Sequence, residues 1–561
     1  MNPLLLVIDL IVNAARAVRN LFARLMGAPD YVVLTAAGTL PERRPAPRGR
    51  LARMVPNPLA PPPQDSLEEW RERLELLARE RRLRGVVLKV GDLRAGAAAL
   101  ESLRAALERF RSSGKRLVAY VATTDLHGYY LASCADQVVV PEAAELALHG
   151  PRVEVTFLRL ALDRLGIMPE YHHIAEYKTA SHRFLYPRMT EPQREMTQAL
   201  VDGQYDEMVS AIARSRQLAV DEVRAAADGG ILTGRPAHAR RLVDGLAFED
   251  ELPAMLGEPG DPALILPWAA ARRRISIPYR WSSGARAAIG VVQLIGAIVP
   301  GESRDLPVPI PLLGQHMAGH ETIARAFRAA ERHPGVKAVV FHVDSGGGSA
   351  IASEMIYREV VRVQARKPVV VYMGNVAGSG GYYVACGARH IVAGSTTITG
   401  SIGVVAGKFN LRGLYERAGL HPEIVSRGAT AEMFSSFTDF TEQEWAILKG
   451  WMEEIYTRFV GRVAEGRRQE APAIKRIAGG HVYTGRQARG LGLIDEVGDF
   501  ETAVRKAKAL AGIPEATDAR VITIRPPRAA GIPEAQAAAW TDALGQAARL
   551  LQEPGLLLTV R

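Results

Sequence analysis

The chain has 561 residues, 48% hydrophobic and 23% charged, a balance that excludes intrinsic disorder and a collagen-like fibre and at about 100–200 residues per domain predicts three or four structural units. Its two cysteines, Cys134 and Cys386, exclude a disulfide framework and a cysteine-based zinc ribbon, and each follows a Gly-Tyr-Tyr segment and reads as a small buried apolar residue. Lys+Arg 70 against Asp+Glu 60 gives a formal charge of +10, but only 10 of the 70 cations are lysines and the arginines are dispersed, which implies a solvated basic surface and no nucleic-acid partner.

In chain order, residues 3–26 read as one amphipathic helix. Leu4 to Ile8, Leu10, Ile11 and Val12 are apolar, while Asp9, Asn13, Arg16, Asn20 and Arg24 recur at steps of three or four as a polar stripe. The apolar run is too short to span a bilayer, so the helix is expected to lie in a membrane interface with Arg16, Arg19 and Arg24 near lipid phosphates. No basic segment precedes the apolar stretch, which argues against a cleaved signal peptide. Residues 43–63 are a Pro-rich linker and 68–84 a charged amphipathic helix. Residues 252–285 form a connection, and 287–300, apolar but broken by Gly290 and Gly296, read as a buried strand. From there the pattern alternates: strand 337–343, Gly-rich turn 345–348, helix 350–364, strand 368–373, Gly-rich turn 378–381, helix 382–387 and strand 390–393. Residues 405–418 and 441–467 read as helical, and the tail after Pro514 as a short strand and an Ala-rich helix. Apolar β-branched strands alternating with helices predict a parallel sheet covered by helices, an α/β fold.

The chain repeats itself. Residues 126–178 align without a gap onto 379–431, at a constant offset of 253. Gly128-Tyr129-Tyr130 matches Gly381-Tyr382-Tyr383, Arg164-x-Gly166 matches Arg417-x-Gly419, and Pro169-Glu170 matches Pro422-Glu423. With small slips the match extends outward, to Val86-Val87-Leu88 on Val339-Val340-Phe341 and Thr233-Gly234-Arg235 on Thr484-Gly485-Arg486. A period this long is a domain duplication, not a solenoid. The expected organisation is residues 1–42 (helix and first strand), 43–79 (linker and charged helix), 80–251 (first repeat), 252–285 (connection), 286–510 (second repeat) and 511–561 (tail).

Chemistry is expected where the copies differ. Ser379 of the second copy stands opposite Leu126 of the first, and Asp344-Ser345-Gly346-Gly347-Gly348-Ser349 opposite Gly91-Asp92-Leu93-Arg94-Ala95-Gly96, which lacks the glycine run. Conversely, Lys178 of the first copy stands opposite Ala431. One copy therefore keeps a candidate nucleophile and a glycine cradle, the other a candidate base. A serine hydroxyl needs a base within hydrogen-bond reach. Ser379, in Ala377-Gly378-Ser379-Gly380-Gly381, lies between a strand and a helix, where the Gly380 N–H can stabilise an oxyanion. The Gly346–Gly348 turn belongs to the neighbouring strand at the same carboxyl edge, so both loops can share one cleft. Lys178 serves as a base only if burial keeps its amine neutral near pH 7. Without that, Ser379 is a helix cap in a tight turn and Lys178 an exposed loop residue. Competing motifs fail: Gly-x-Ser-x-Gly has Ala377 in the first glycine place, Gly407-Lys408 is followed by Phe409, and no His-Glu-x-x-His occurs. His172 and His173, adjacent on a strand, point to opposite faces and are read as structural or as tuning the lysine.

Val343-Asp344-Ser345-Gly346-Gly347-Gly348-Ser349, Gly378-Ser379-Gly380-Gly381-Tyr382-Tyr383, Thr399-Gly400-Ser401-Ile402-Gly403 and Tyr177-Lys178-Thr179-Ala180 together resemble signal peptide peptidase A in its long, two-repeat bacterial form. The resemblance covers roughly residues 80–505. It implies tandem α/β domains similar to Clp protease and crotonase. It also implies a serine–lysine dyad with Ser379 as nucleophile and Lys178 as general base, and an oxyanion held by the amides of Gly347, Gly348 and Gly380. Neither metal nor organic cofactor is implied. The family's members are homotetramers associated with the bacterial inner membrane that degrade cleaved signal peptides and other unfolded apolar segments. This chain departs from the family in carrying Asp344 and Gly346 where relatives have Asn and Pro, and in lacking a clear spanning helix. A crotonase-type acyl-CoA enzyme and a non-catalytic membrane scaffold of the same fold remain as alternatives.

Overall fold

A computed structural model describes residues 3–44, 64–279, 287–310, 314–515, 517 and 519–525. Most of the 43–63 linker and the Ala-rich helix of the tail lie outside the described residues. Two compact units form: Met1–Arg152 with Gly203–Arg286, and Val153–Asp202 with Ala287–Arg561. Residues 153–202, part of the first repeat by sequence, thus pack with the second unit.

In the first unit six parallel strands run in the order Ile265–Pro267, Tyr31–Gly38, Gly85–Leu93, Arg116–Tyr120, Gln137–Val140, Gly245–Leu246. Helices Leu67–Arg79 and Ala97–Ser112 cover one face through Trp70, Leu74, Leu100, Leu103 and Leu107, all buried. Ser66 and Glu69 form a reciprocal cap that fixes where the first of these starts.

The second unit repeats the plan. Its main sheet runs Val482–Thr484, Ile398–Gly400, Val369–Gly378, Val336–Ser345, Ala288–Ile295, Arg520–Thr523, with His390–Ala393 also beside Val369–Gly378. Only Val482–Thr484 runs antiparallel to its neighbour on this path. The strands are rich in Val and Ile because both faces are covered: helices Ala350–Gln364 and His320–Arg332 lie over one, Phe500–Leu510 over the other. The duplicated α/β architecture with parallel sheets expected from the sequence is present.

Two expectations are corrected. Residues 405–418 are not one helix: Val404–Asn410 is a strand and Arg412–Arg417 a short helix. The strand pairs antiparallel with Met168–Ile174, from Val404 opposite Ile174 to Asn410 opposite Met168. A partner more than 200 residues upstream overrides the local pattern, and Gly407 is required because a Cβ there would lie 2.1 Å from the Glu170 carbonyl oxygen. The N-terminal helix Pro3–Leu25 exists, but Arg16 and Arg19, expected near lipid phosphates, are engaged by the chain itself. The polar stripe faces the protein: Arg16 donates to the Pro278 carbonyl at 3.0 Å and Arg19 to the Ile275 carbonyl at 3.0 Å, while the Asn20 amide donates to the Ile277 carbonyl and accepts from its N–H, both at 2.8 Å. Arg16 and Arg19 therefore cap chain carbonyls, and the outer face carries Ile11 (65% exposed), Phe22 (61%) and Leu25 (76%). Among the described residues no helix is long and apolar enough to cross a membrane.

Asn20 is 5% exposed and makes both bonds that hold the helix at this point. Asn20→Ala is expected to weaken the docking by about 1–3 kcal/mol, read as faster amide hydrogen exchange and earlier proteolytic nicking within 3–25 while the sheet amides stay protected.

Candidate active site

Ser379 sits between strand Val369–Gly378 and helix Gly380–Ala385, at φ 53° and ψ −119°. Such a left-handed conformation costs a non-glycine residue roughly 1–3 kcal/mol and persists where the surroundings over-determine it. Here the Ser379 N–H donates to the Gly400 carbonyl at 2.8 Å and its carbonyl accepts from the Tyr383 N–H at 2.9 Å. The turn holds the side chain out of the helix, where it caps nothing, and leaves the residue 2% exposed.

Lys178 reaches the same point from strand Met168–Ile174, which the ladder with Val404–Asn410 carries into this unit. Its Nζ lies 2.9 Å from Ser379 Oγ, 2.8 Å from the Ser401 carbonyl oxygen and 2.9 Å from Ser401 Oγ. Lys178 is 1% exposed, and burial alone pushes its amine down to about 7 because water is withdrawn from the charged form. A neutral amine fits these contacts: its two N–H groups donate to the Ser401 oxygens and its lone pair faces the Ser379 hydroxyl. The backbone behind the lysine is close-packed. Tyr177 N–H donates to the Gly479 carbonyl at 2.9 Å, and a Cβ on Gly480, at φ 82°, would lie 2.3 Å from the Lys178 nitrogen.

The Gly346–Gly348 loop abuts the serine. Gly347 and Gly348 have φ of 107° and 152°, and a Cβ on Gly347 would meet Gly380 N at 2.6 Å and Ser379 Cβ at 2.9 Å. The Gly347 N–H differs from expectation: it donates to Ser345 Oγ at 3.1 Å, so its amide is already engaged and its part in the site is to let the loop approach. Among the described residues the N–H groups of Gly348 and Gly380 donate to no protein group. Gly346 keeps an ordinary φ. Asp344 accepts from the Val376 N–H at 3.1 Å and from Asn375 Nδ2 at 3.3 Å, and burial raises its carboxyl pKa. Beside the loop is a hollow of about 120 Å³ whose lining includes Ile351, Tyr383, Trp451 and Ile455.

Lys178 and Ser379, 201 positions apart in the chain, are thus brought together. The site also contains Ser401, to which the sequence reading gave no role. It also has a positive φ, 54°, and its N–H donates to the His481 carbonyl at 2.6 Å. The signal was present, since Ser401 stands opposite Leu148 in the repeat, the same Ser-to-Leu divergence that marks Ser379 and Leu126. His172 lies near Trp445 and His173 beside His182, ring centroids 6.5 and 5.0 Å apart, and the two imidazoles are near-parallel with centroids 6.3 Å apart. Cys134 and Cys386 are fully buried, and burial pushes the Cys134 thiol up to about 12.

The fold and these residues define an α/β protein with a serine hydroxyl, a desolvated amine and free backbone amides at the carboxyl edge of a parallel sheet. The profile of peptidase family S49 matches residues 109–258 and 361–514, and the chain belongs to that family of serine peptidases. It is 29% identical over 445 residues to "Serine protease SPPA, chloroplastic" of Arabidopsis thaliana, covering 78% of this chain and 65% of the relative. It is 30% identical over 439 residues to "Protease 4" of Haemophilus influenzae, covering 75% and 69%. It is 32% identical over 194 residues to "Putative signal peptide peptidase SppA" of Enterococcus faecium, covering 34% and 56%. The chain thus spans just under two thirds of the chloroplast relative's length.

The packing behind the lysine gives a direct test. Gly480→Ala forces its methyl against the Lys178 backbone and is expected to lower kcat at least tenfold, with the circular dichroism spectrum unchanged and KM affected less than kcat.

Proposed function

We propose that the protein is a serine endopeptidase in which Ser379 is the nucleophile and Lys178 the general base. The observation that carries this reading is the 2.9 Å approach of a fully desolvated lysine amine to a serine held in a strained turn. Ser379 Oγ attacks the peptide carbonyl and its proton passes to Lys178 Nζ. The amides of Gly348 and Gly380 hold the developing oxyanion. The lysine ammonium then protonates the leaving amine, and water releases the acyl group by the reverse transfer. Ser401 orients the amine by accepting its two N–H groups. The chemistry needs no cofactor.

Substrates are proposed to be cleaved signal peptides and other extended apolar peptides. The family resemblance supports this, as do the names of the relatives. The resemblance likewise gives a homotetramer at the bacterial inner membrane. The outward apolar face of helix Pro3–Leu25 supports membrane contact, since a helix that spends its polar stripe on the protein leaves only its apolar side for the bilayer.

Two experiments test the reading. With an unstructured leucine-rich peptide, Ser379→Ala and Lys178→Ala are each expected to lose at least a thousandfold in kcat/KM with folding intact. An acyl-CoA enzyme would survive the serine change, and a scaffold would cleave nothing even as wild type. The active form has neutral Lys178, so kcat/KM is expected to rise with pH as the amine loses its proton, with a midpoint near 7 rather than near the ordinary lysine value. For the membrane, Ile11→Asp with Phe22→Asp is expected to reduce binding to vesicles containing anionic lipid at least tenfold in a flotation assay, while peptide cleavage in solution is retained.

A further inference from the structure

The segment that carries Lys178 is bracketed by two histidines. His173 lies at the end of strand Met168–Ile174 and His182 opens the short helix His182–Leu185. Their Nε2 atoms lie 3.4 Å apart. The other nitrogen of each ring is already engaged. His173 Nδ1 is 3.0 Å from the Ala175 carbonyl oxygen. That oxygen can only accept, so the proton of the neutral ring sits on Nδ1 and Nε2 is a bare lone pair. His182 Nδ1 is 3.0 Å from Thr190 Oγ1, a hydroxyl able to accept the ring proton in the same way and leave this Nε2 bare as well.

The pair has the geometry of a chelate. Its nitrogen separation exceeds the range of about 2.7–3.2 Å usual for a donating N–H group. A ring-to-ring hydrogen bond also favours a straight approach. Here the ring centroids are 5.0 Å apart and the planes are inclined at 62°, so the two nitrogens converge at an angle. A cation at the zinc–imidazole distance of about 2.0–2.1 Å from both would see them at roughly 110°, the tetrahedral angle. An N–H turned outward onto a carbonyl or hydroxyl oxygen is also what orients a metal-bound histidine.

We infer that His173 and His182 form a binding site for a zinc-class divalent cation, held through the two Nε2 atoms and separate from the hydrolytic chemistry. Among the described residues no cluster of three or more His, Cys, Asp or Glu side chains is placed to hold a metal, so water completes the coordination and the cation is exchangeable. His182 is buried at 3% exposure, whereas His173 is only half-buried and keeps the pair within reach of solvent. Each ring retains its proton on Nδ1, so binding to the neutral pair releases none. The bound cation ties together the two ends of the segment 173–182, with Lys178 between them.

Metal binding to the Ser379→Ala chain tests the inference, and the result does not depend on peptide hydrolysis. Cobalt is expected to give the strong visible absorption of a tetrahedral centre, and zinc to displace it. His173→Gln and His182→Gln should each weaken zinc binding at least tenfold in equilibrium dialysis with an unchanged circular dichroism spectrum, and His172→Gln should leave it as it was. If the buried His182→Gln variant does not fold, the half-buried His173→Gln decides the matter. Zinc should also slow amide hydrogen exchange across 174–181 in the parent chain and not in His173→Gln. A cobalt complex without the tetrahedral absorption, or a zinc affinity equal in His173→Gln and its parent, would overturn the inference and leave the 3.4 Å approach as a contact between rings.

Discussion

Everything at the site depends on keeping water from one amine. Lys178 sits where only serine oxygens and backbone reach it, and no carboxylate stands near enough to favour its charged form. The chain contains an instructive contrast in Lys408, which is also buried but has Glu170 4.0 Å away and the Phe440 ring beneath it. Burial lowers the pKa of both amines, but at Lys408 the Glu170 carboxylate opposes the shift, whereas Lys178 has no such partner and its neutral form is the more favoured. The surrounding devices serve that end. The ladder delivers the residue, Gly480 lets its backbone settle, and Ser401 fixes the direction of its lone pair.

The strain at Ser379 belongs to the same design. A serine on the helix proper would point along a groove, and one on the strand would be buried in the sheet. The positive φ places it at the break between them, where strand Val369–Gly378 has ended and the Gly347 Cα can approach within contact distance. The glycine loop then contributes its shape at Gly347 and its unspent amide at Gly348. Asp344, which replaces the family's usual asparagine, is absorbed locally by Val376 and Asn375, so the substitution keeps the loop tied to the neighbouring strand.

Much of this was legible in the sequence. The α/β alternation is written in β-branched runs, and Ser379 and Lys178 stand out because each copy of the repeat lost what the other retained. Ser401 carries the same divergence, serine in one copy and Leu148 in the other, but a serine without an adjacent base motif has no recognisable reactivity in the sequence. The engagement of the Gly347 amide by Ser345 was not legible, because a side chain bonding a nearby backbone group is a matter of local angles. Strand Val404–Asn410 has a helix-like local pattern, and its strand conformation comes from a partner more than 200 residues away. The N-terminal helix shows a related limit: periodicity reveals that two faces exist but not which one is turned inward, and Asn20 and Arg19 decide it through carbonyls some 250 positions downstream.

The distribution of the site along the chain has a consequence for how the protein comes into being. Lys178 comes from the earlier repeat and Ser379 from the later one, so a nascent chain still on the ribosome carries the lysine long before the serine it meets. On the mechanism proposed above, a chain terminated before residue 379 or a fragment clipped between the repeats lacks one of the two groups. On that reading, latency during biogenesis follows from the order of the two repeats along the chain.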